Sequence, residues 1–81
     1  MAAFRIDNQP STQEFFRDRV SNGDWPALIH WSLGRNHVTY ELTHDGTYAM
    51  SARVDPPGGH GLPRCSATVF MKPDAVAAEL L

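Results

Sequence analysis

The chain has 81 residues, of which 42% are hydrophobic and 20% are charged, and its formal net charge at neutral pH is −2. This length predicts a single domain over residues 1–81, and the composition is typical of an ordered protein rather than of a disordered segment. The basic residues are scattered along the sequence, whereas nucleic-acid-binding proteins usually concentrate them in a patch or stripe.

Cysteine content and hydropathy set an expectation for the compartment. Cys65 is the single cysteine, so the chain cannot form an internal disulfide of the kind on which small secreted domains usually rely. The sequence has no basic start followed by a long apolar run, and no apolar stretch approaches the roughly 20 residues that a membrane helix needs. We therefore expect a soluble, cytoplasmic protein with no membrane partner.

A helix is the first element that the sequence predicts with a clear signal. Residues 3–7 alternate between apolar and charged side chains, which fits either a short edge strand or an extended segment. Ser11 and Glu14 have the spacing of a capping box and predict a helix over residues 12–21. The side chains expected on its apolar side are Phe15, Phe16 and Val20.

Three strands are predicted in the middle of the chain, over residues 27–33, 38–43 and 48–54, because their side chains alternate. Their apolar side chains share one face of an antiparallel meander, which the helix would cover, while the other face is left for water or a partner. The apolar face carries Ile29, Trp31, Leu33, Val38, Tyr40, Leu42, Tyr48, Met50, Ala52 and Val54. The opposite face carries Leu28, His30, Ser32, Thr39, Glu41, Thr43, Ala49, Ser51 and Arg53.

The register of these strands follows from keeping the apolar side chains together, because a slip of one residue reverses every side chain. Leu33 is predicted to lie opposite Val38, across a four-residue loop. Leu42 is predicted to lie opposite Tyr48, across a three-residue loop in which Gly46 is left-handed in a bulge. Both choices place all the apolar side chains of the meander on one face.

The last third of the chain is predicted to form a loop, a strand and a short helix. Prolines and glycines make residues 55–64 irregular, and residues 66–72 alternate as a fourth strand. Cys65 falls on the apolar side of this strand, which favours a buried, inert thiol over a nucleophile paired with His60. Asp74 is the expected N-cap of the final helix. The predicted fold is therefore α+β, in the order α-β-β-β-β-α, with both helices on one face of an antiparallel sheet of three to four strands.

No pattern in the sequence predicts a catalytic, metal or cofactor site. His30, His37 and His44 recur every seven residues, but His37 and His44 would lie at opposite ends of one strand, roughly 23 Å apart, which is too far for one metal ion. His30 and Glu41 face each other in the predicted register, which on an open sheet favours a solvent-exposed pair over acid–base catalysis. The Gly58–Gly61 segment lacks the strand-then-helix context of a phosphate loop. We expect a protein that is not an enzyme.

The remaining exposed residues favour a small protein–protein interaction protein, such as an inhibitor, adaptor or regulator. Phe70 is the large apolar residue on the polar side of the fourth strand, and aromatic residues are enriched at interface hot spots. Open sheet edges would also permit strand addition by a partner or by a second copy in a homodimer. The predicted contact residues are Arg35, Asn36, His37, Arg53, His60, Arg64 and Phe70.

Nucleic-acid binding is the alternative interpretation. The predicted order of a helix, a three-stranded meander and a final helix resembles the double-stranded-RNA-binding domain. Gly34-Arg35-Asn36-His37 is similar to the loop between that family's first strands, and residues 72–81 are similar to its final helix. The family places a lysine cluster at the start of the final helix, where this chain has Lys72 alone, and the strand over residues 66–72 is additional. Binding of this kind would use Arg35, His37, Arg53, Arg64 and Lys72.

Overall fold

The computed structural model describes residues 2–81, and over this range the chain forms a seven-stranded antiparallel sheet and two helices. The strands are β1 (Ala2–Ile6), β2 (Gln9–Pro10), β3 (Leu28–Leu33), β4 (Asn36–Leu42), β5 (Tyr48–Val54), β6 (Arg64–Cys65) and β7 (Val69–Met71). The helices are α1 (Gln13–Ser21) and α2 (Pro73–Leu80), and Pro57–Gly59 forms a 3-10 turn. The predicted α+β class with an antiparallel sheet is confirmed. The predicted order and strand number are wrong, since two strands precede α1 and the fourth strand is divided.

The N-terminal residues belong to the sheet itself. The strand order is β2-β1-β3-β4-β5-β6, with β7 also paired to β5. Asp7 and Asn8 both have positive φ, which permits the tight turn that joins β1 to β2. On its other side β1 pairs along its whole length with β3, so that Phe4 lies opposite Trp31. The edge strand on this side is the two-residue β2, rather than residues 3–7 as the sequence suggested.

The β3–β4 hairpin has a tighter turn than the sequence predicts. Leu33 pairs with Asn36, not with Val38, because Gly34 and Arg35 alone make the turn, with Gly34 at a φ of +60°. Glycine with positive φ is favoured at the first central position of such a two-residue hairpin. The real and predicted registers differ by two residues. Both therefore keep the same side chains on the same face, and alternation alone does not distinguish them.

The β4–β5 hairpin has the predicted register, with Leu42 opposite Tyr48. Gly46 has a φ of +84°, as expected for the left-handed residue of a three-residue loop. The carboxylate of Asp45 accepts hydrogen bonds from the hydroxyls of Thr43 and Thr47 on either side of this loop. These bonds to the charged form lower the pKa of Asp45 to about 2.

The predicted fourth strand is interrupted by a bulge between β6 and β7. Cys65 pairs with Arg53 and Phe70 pairs with Ala49. Cys65 and Phe70 are five positions apart, whereas Arg53 and Ala49 are four positions apart, so the segment between β6 and β7 contains one extra residue. At the interruption the hydroxyl of Ser66 accepts from the backbone N–H of Ala52 at 2.9 Å. The extra residue turns Cys65 onto the same face as Phe70. Cys65 is exposed, so the prediction of a buried thiol is wrong.

Helix α1 begins close to the predicted position but with a different cap. The N-cap is Thr12, whose hydroxyl accepts from the backbone N–H of Phe15 at 3.1 Å. Ser11, the predicted cap, is still held against β1, because its own N–H donates to the carbonyl of Phe4 at 2.8 Å. Phe16 is fully buried beneath the helix, whereas Phe15 is exposed on its outer side.

Helix α2 begins at Pro73, one residue before the predicted cap Asp74, and Lys72 is the N-cap. Proline suits the first helical position because the N–H that it lacks would have no partner there. Val76 and Leu80 are the buried residues of this helix. Within residues 2–81, no helix is long and apolar enough to span a membrane.

The core lies under the two helices and occupies only part of the sheet. Its buried side chains are Ile6, Phe16, Ile29, Tyr40, Tyr48, Val76 and Leu80. Each helix spans only about 12–14 Å, since α1 has nine residues and α2 has eight. Leu33 and Val54, at the ends of β3 and β5 on the helix side of the sheet, are exposed, so the helices leave part of that face uncovered.

Candidate binding surface

The uncovered part of the helix-side face, which we call the open half-face, is an apolar surface at the β3–β4 turn. Two cross-strand rows build it. In the first row Trp31, Val38 and Ala52 lie side by side on β3, β4 and β5. In the second row Leu33, Asn36, Val54 and Arg64 follow one another from β3 to β6. Leu33 is 46% exposed and Val54 is 39% exposed, although the sequence places both in the core.

Most of the predicted contact residues converge at this end of the sheet. Asn36 and Arg64 both flank Val54 on the open half-face, and Arg35 lies in the adjoining turn. His37 and Arg53 pair with each other on the opposite, bare face of the sheet. The structure thus gathers at one end of the sheet five residues that are scattered in the sequence.

Two of the predicted contact residues lie apart from these five. His60 is exposed in the loop that follows the 3-10 turn. Phe70 is 69% exposed on the bare face, opposite Ala49. Ala49 and Arg53 are four positions apart on β5, which is roughly 13 Å along the strand. Phe70 therefore lies off the open half-face that Arg64 borders, and on the bare face it is well separated from Arg53.

Asp55 fixes the geometry of this end of the sheet, a role that the sequence reading missed. Its carboxylate accepts from Arg53 Nε at 2.8 Å and faces His37 Nε2 at 2.9 Å. Its carbonyl accepts from Arg35 Nη1 at 3.1 Å, and its N–H donates to the carbonyl of Arg35 at 2.8 Å. Exposed ion pairs contribute little to stability singly, but these contacts orient three side chains. The sequence signal for this role is the position of Asp55, directly after a predicted strand and before two prolines.

His30 and His37 form a hydrogen-bonded pair on the bare face. His30 Nε2 and His37 Nδ1 are 3.0 Å apart. The ring centroids are 5.2 Å apart with planes within 17°. Because the two nitrogens are much closer than the centroids, the rings meet edge to edge rather than face to face. When His37 donates from Nε2 to Asp55, its Nδ1 accepts from His30, which completes a relay from His30 through His37 to Asp55.

This pair overturns two expectations about the histidines. The sequence predicts that His30 faces solvent, whereas both histidines are half-buried in strands, because the tight β3–β4 turn leaves His37 within β4. It also placed His30 opposite Glu41, but the true register puts Glu41 opposite Leu28. Among residues 2–81, no group of three or more His, Cys, Asp or Glu side chains is arranged to hold a metal ion.

Burial lowers the pKa of His30 below its usual value of 6.5, and positive charge on His37, Arg53 and Arg5 lowers it further. Desolvation disfavours the charged imidazolium, and the nearby cations repel it. His30 therefore stays neutral at neutral pH. In that form one ring nitrogen donates to His37 while the other remains a free acceptor.

Two clefts border the open half-face. The first, of about 390 Å³, is lined by Val54, Pro56, Pro57 and Leu62 between Arg35 and Arg64. The second, of about 430 Å³, lies where the face runs under the helices and is lined by Gln13, Trp31, Val38, Tyr40, Glu79 and Leu80. The first cleft joins apolar walls to two arginines and to Asp55, whose carboxylate is engaged by Arg53, and the second joins aromatic walls to the carboxylate of Glu79.

Comparisons with protein-family models, with curated proteins and with solved structures find no match. Apolar exposure and charge coincide at the open half-face, which makes this surface the candidate site.

Proposed function

We propose that the protein is a small, non-catalytic binding protein, an inhibitor, adaptor or regulator, which docks onto a larger protein through the open half-face. The observation that carries this proposal is the exposure of Leu33 and Val54 in a sheet face that elsewhere forms the core. Interface cores are apolar, and arginine is enriched there relative to other surface residues. Arg35 and Arg64 beside this apolar surface meet that description.

The apolar residues form a continuous surface rather than isolated exposures, which would need no explanation. Leu33 and Val54 are both neighbours of Asn36 in one cross-strand row, and Leu62, which is 90% exposed, lines the adjoining cleft with Val54. Trp31 and Val38 extend the surface toward the helices. Covering these side chains removes apolar area from water, which supplies the driving force for docking.

The charge of this end favours an acidic partner. Neither Arg35 nor Arg64 forms an ion pair with a carboxylate of residues 2–81, although the chain as a whole has a net charge of −2. Arginine presents a planar fork of donors that matches a carboxylate. An apolar partner segment that carries Asp or Glu would therefore satisfy both the cleft walls and the two guanidinium groups.

Nucleic-acid binding fits this surface less well. Leu33, Val54 and Leu62 are aliphatic, whereas single-stranded nucleic acids stack on aromatic side chains. The basic residues predicted to bind nucleic acid do not form one patch. Lys72 directly follows β7, away from the β3–β4 turn, and Arg53 already forms an ion pair with Asp55. Strand addition is also less favoured, since the outer strands β2, β6 and β7 have only two or three residues.

The proposal is tested by capture of a partner with matched variants. The tagged protein, Leu33→Asp, Arg64→Glu and Phe70→Ser are each incubated with nuclease-treated lysate of the native source, and the captured partner is then purified for calorimetry. Because a buried carboxylate or a reversed charge at the interface leaves an unpaired charge, we expect Leu33→Asp and Arg64→Glu to weaken the partner's affinity by about tenfold or more. Phe70→Ser, a change at a more exposed residue outside the surface, should bind as the unaltered protein does.

Other results would count against the proposal. Loss of the partner in Phe70→Ser, with Leu33→Asp unaffected, would move the docking site to the bare face. Recovery of nucleic acid alone when nuclease is omitted, lost steeply as salt rises, would favour the alternative interpretation.

A further inference from the structure

The second cleft, at the border between the open half-face and the helices, combines aromatic side chains with a carboxylate. Trp31 and Val38 come from the open half-face, Tyr40 from the edge of the core, and Gln13 and Glu79 from the two helices. An indole ring and a carboxylate thus face the same space of about 430 Å³. Aromatic faces attract cations through their quadrupole, and a carboxylate attracts them by charge.

The polar groups of this cleft are held in place. The hydroxyl of Tyr40, which is buried, donates to Glu79 Oε2 at 2.9 Å, and Gln13 Nε2 donates to the carbonyl of Leu80 at 2.7 Å. Burial, with the nearby Glu79 carboxylate, raises the pKa of Tyr40 well above its usual value of 10, so the phenol remains a donor. Glu79 is therefore positioned at the cleft by a contact between α2 and β4.

Glu79 has no cationic partner within the described chain. No Lys, Arg or His side chain of residues 2–81 forms an ion pair with it, while Arg19, His37 and Arg53 all pair with Asp7, Asp24 or Asp55. One of its oxygens is engaged by Tyr40, which leaves the other as the free acceptor. A single free oxygen does not match the two-pronged fork of a guanidinium, whereas an ammonium needs only one strong acceptor.

We propose that this cleft binds an alkylammonium group, namely the side chain of a lysine presented by the docked partner. The ammonium lies between the Glu79 carboxylate and the face of Trp31, and the methylene stem lies along Val38 and the edge of the open half-face. This inference rests on the proposed function, because the lysine belongs to the same partner. It adds that the partner carries a lysine at one end of its apolar contact and an acidic residue at the other, near Arg35 and Arg64.

The first test needs no partner. The full chain, labelled with ¹⁵N, is titrated with Nα-acetyl-lysine methylamide, and the indole N–H signals of Trp31 and Trp25 are followed by NMR. Trp25 packs against Phe16 and Tyr48 in the core, so it serves as an internal reference. We expect a saturable shift of the Trp31 signal and none of the Trp25 signal. The matched neutral probe, Nα-acetyl-norleucine methylamide, should bind at least about tenfold more weakly, since it lacks the charge-assisted contacts.

The matched variant is Glu79→Gln, which keeps an acceptor oxygen for Tyr40 but removes the negative charge. We expect it to reduce lysine-probe affinity about tenfold and to leave norleucine-probe affinity unchanged. An unchanged Trp25 signal shows that the variant is folded. Equal binding of the two probes, equal binding by Glu79→Gln, or no saturable shift of Trp31 would overturn the inference.

The two proposals fail in distinguishable ways. If Leu33→Asp leaves partner capture intact, the proposed docking surface is wrong whatever the lysine probe does. If Leu33→Asp abolishes capture but Glu79→Gln leaves the affinity for the purified partner unchanged, the docking surface stands and the lysine contact is overturned.

Discussion

The two halves of the helix-side sheet face have the same alternation of side chains but different surroundings. Ile29 and Tyr48 are fully buried under α1 and α2, whereas Leu33 and Val54, on the same strands and the same face, are exposed. The difference arises because the two short helices cover the part of the face that contains Ile29 and Tyr48 and leave Leu33 and Val54 uncovered. Alternation in the sequence thus assigns an apolar side chain to one face of the sheet. Whether that side chain belongs to the core depends on whether a helix packs over it.

The largest expected effect lies in the covered half. Ile29→Ala removes a fully buried side chain beneath the helices, and we expect the free energy of unfolding to fall by about 2–5 kcal/mol because a cavity is left. Urea unfolding followed by circular dichroism measures the change. A loss below about 1 kcal/mol would show that this half is no better packed than the open half.

The next largest effect concerns a buried hydrogen bond in the core beneath the helices. The hydroxyl of Tyr48 donates to the carbonyl of Pro26 at 2.6 Å, and burial raises the pKa of Tyr48 to about 12. Tyr48→Phe leaves that buried carbonyl without its partner, so we expect a loss of about 1–3 kcal/mol in unfolding free energy. The same urea titration, with Tyr40→Phe as the comparison at the cleft, gives the value. No change would mean that water replaces the hydroxyl.

A smaller effect is expected from pH on the bare face. Folding lowers the pKa of His30, so the folded state favours the neutral imidazole. The stability that this group contributes is fully present above pH 6.5, its pKa in the unfolded chain, and is lost as the pH falls from there toward the folded-state pKa. Unfolding free energies between about pH 7 and pH 5.5 should therefore decrease on acidification.

His30→Gln is the control for this pH effect, because its amide N–H can still donate to His37 but does not titrate. We expect the decrease between about pH 7 and pH 5.5 to be smaller in this variant than in the unaltered protein. Identical pH dependence in the two proteins would show that His30 is not the titrating group.

The smallest effect on stability is expected in the open half-face itself. Leu33→Asp changes a side chain that has no helix above it, so we expect a loss below about 1 kcal/mol, although the same change should weaken docking by about tenfold or more. Urea unfolding of this variant beside Ile29→Ala compares the two halves directly. A loss as large as that of Ile29→Ala would mean that Leu33 contributes to the core, and its effect on docking would then reflect misfolding.

Several features were predictable because they depend on local chemistry. Alternation assigned the faces of β3, β4 and β5, and Gly46 set the β4–β5 register through its left-handed turn. Helix α1 ends at Ser21, shortly before Gly23, whose positive φ is typical of a helix C-terminus. For the candidate surface, the sequence predicted Arg35, Asn36 and Arg64 as contact residues; the structure places them at one end of the sheet, and their contact with a partner stays a prediction.

Other features depended on how distant segments meet. The relay from His30 to Asp55 was missed because the β3–β4 register is ambiguous by two residues, and both registers satisfy the hydrophobic pattern. The exposure of Cys65 follows from the bulge between β6 and β7, in which one additional residue puts Cys65 on the opposite face from the one that unbroken alternation with Val69 predicts. No periodic pattern marks where that residue is inserted.

By itself, the sequence determined that this protein has an antiparallel sheet with one apolar face, because side-chain alternation and turn chemistry act over a few residues. The tertiary structure alone decided which part of that face is covered, because coverage depends on the length and placement of helices from opposite ends of the chain. It also decided that Trp31 and Glu79 line the same cleft, since the proximity of residues 48 positions apart in sequence is set by packing and not by local preference.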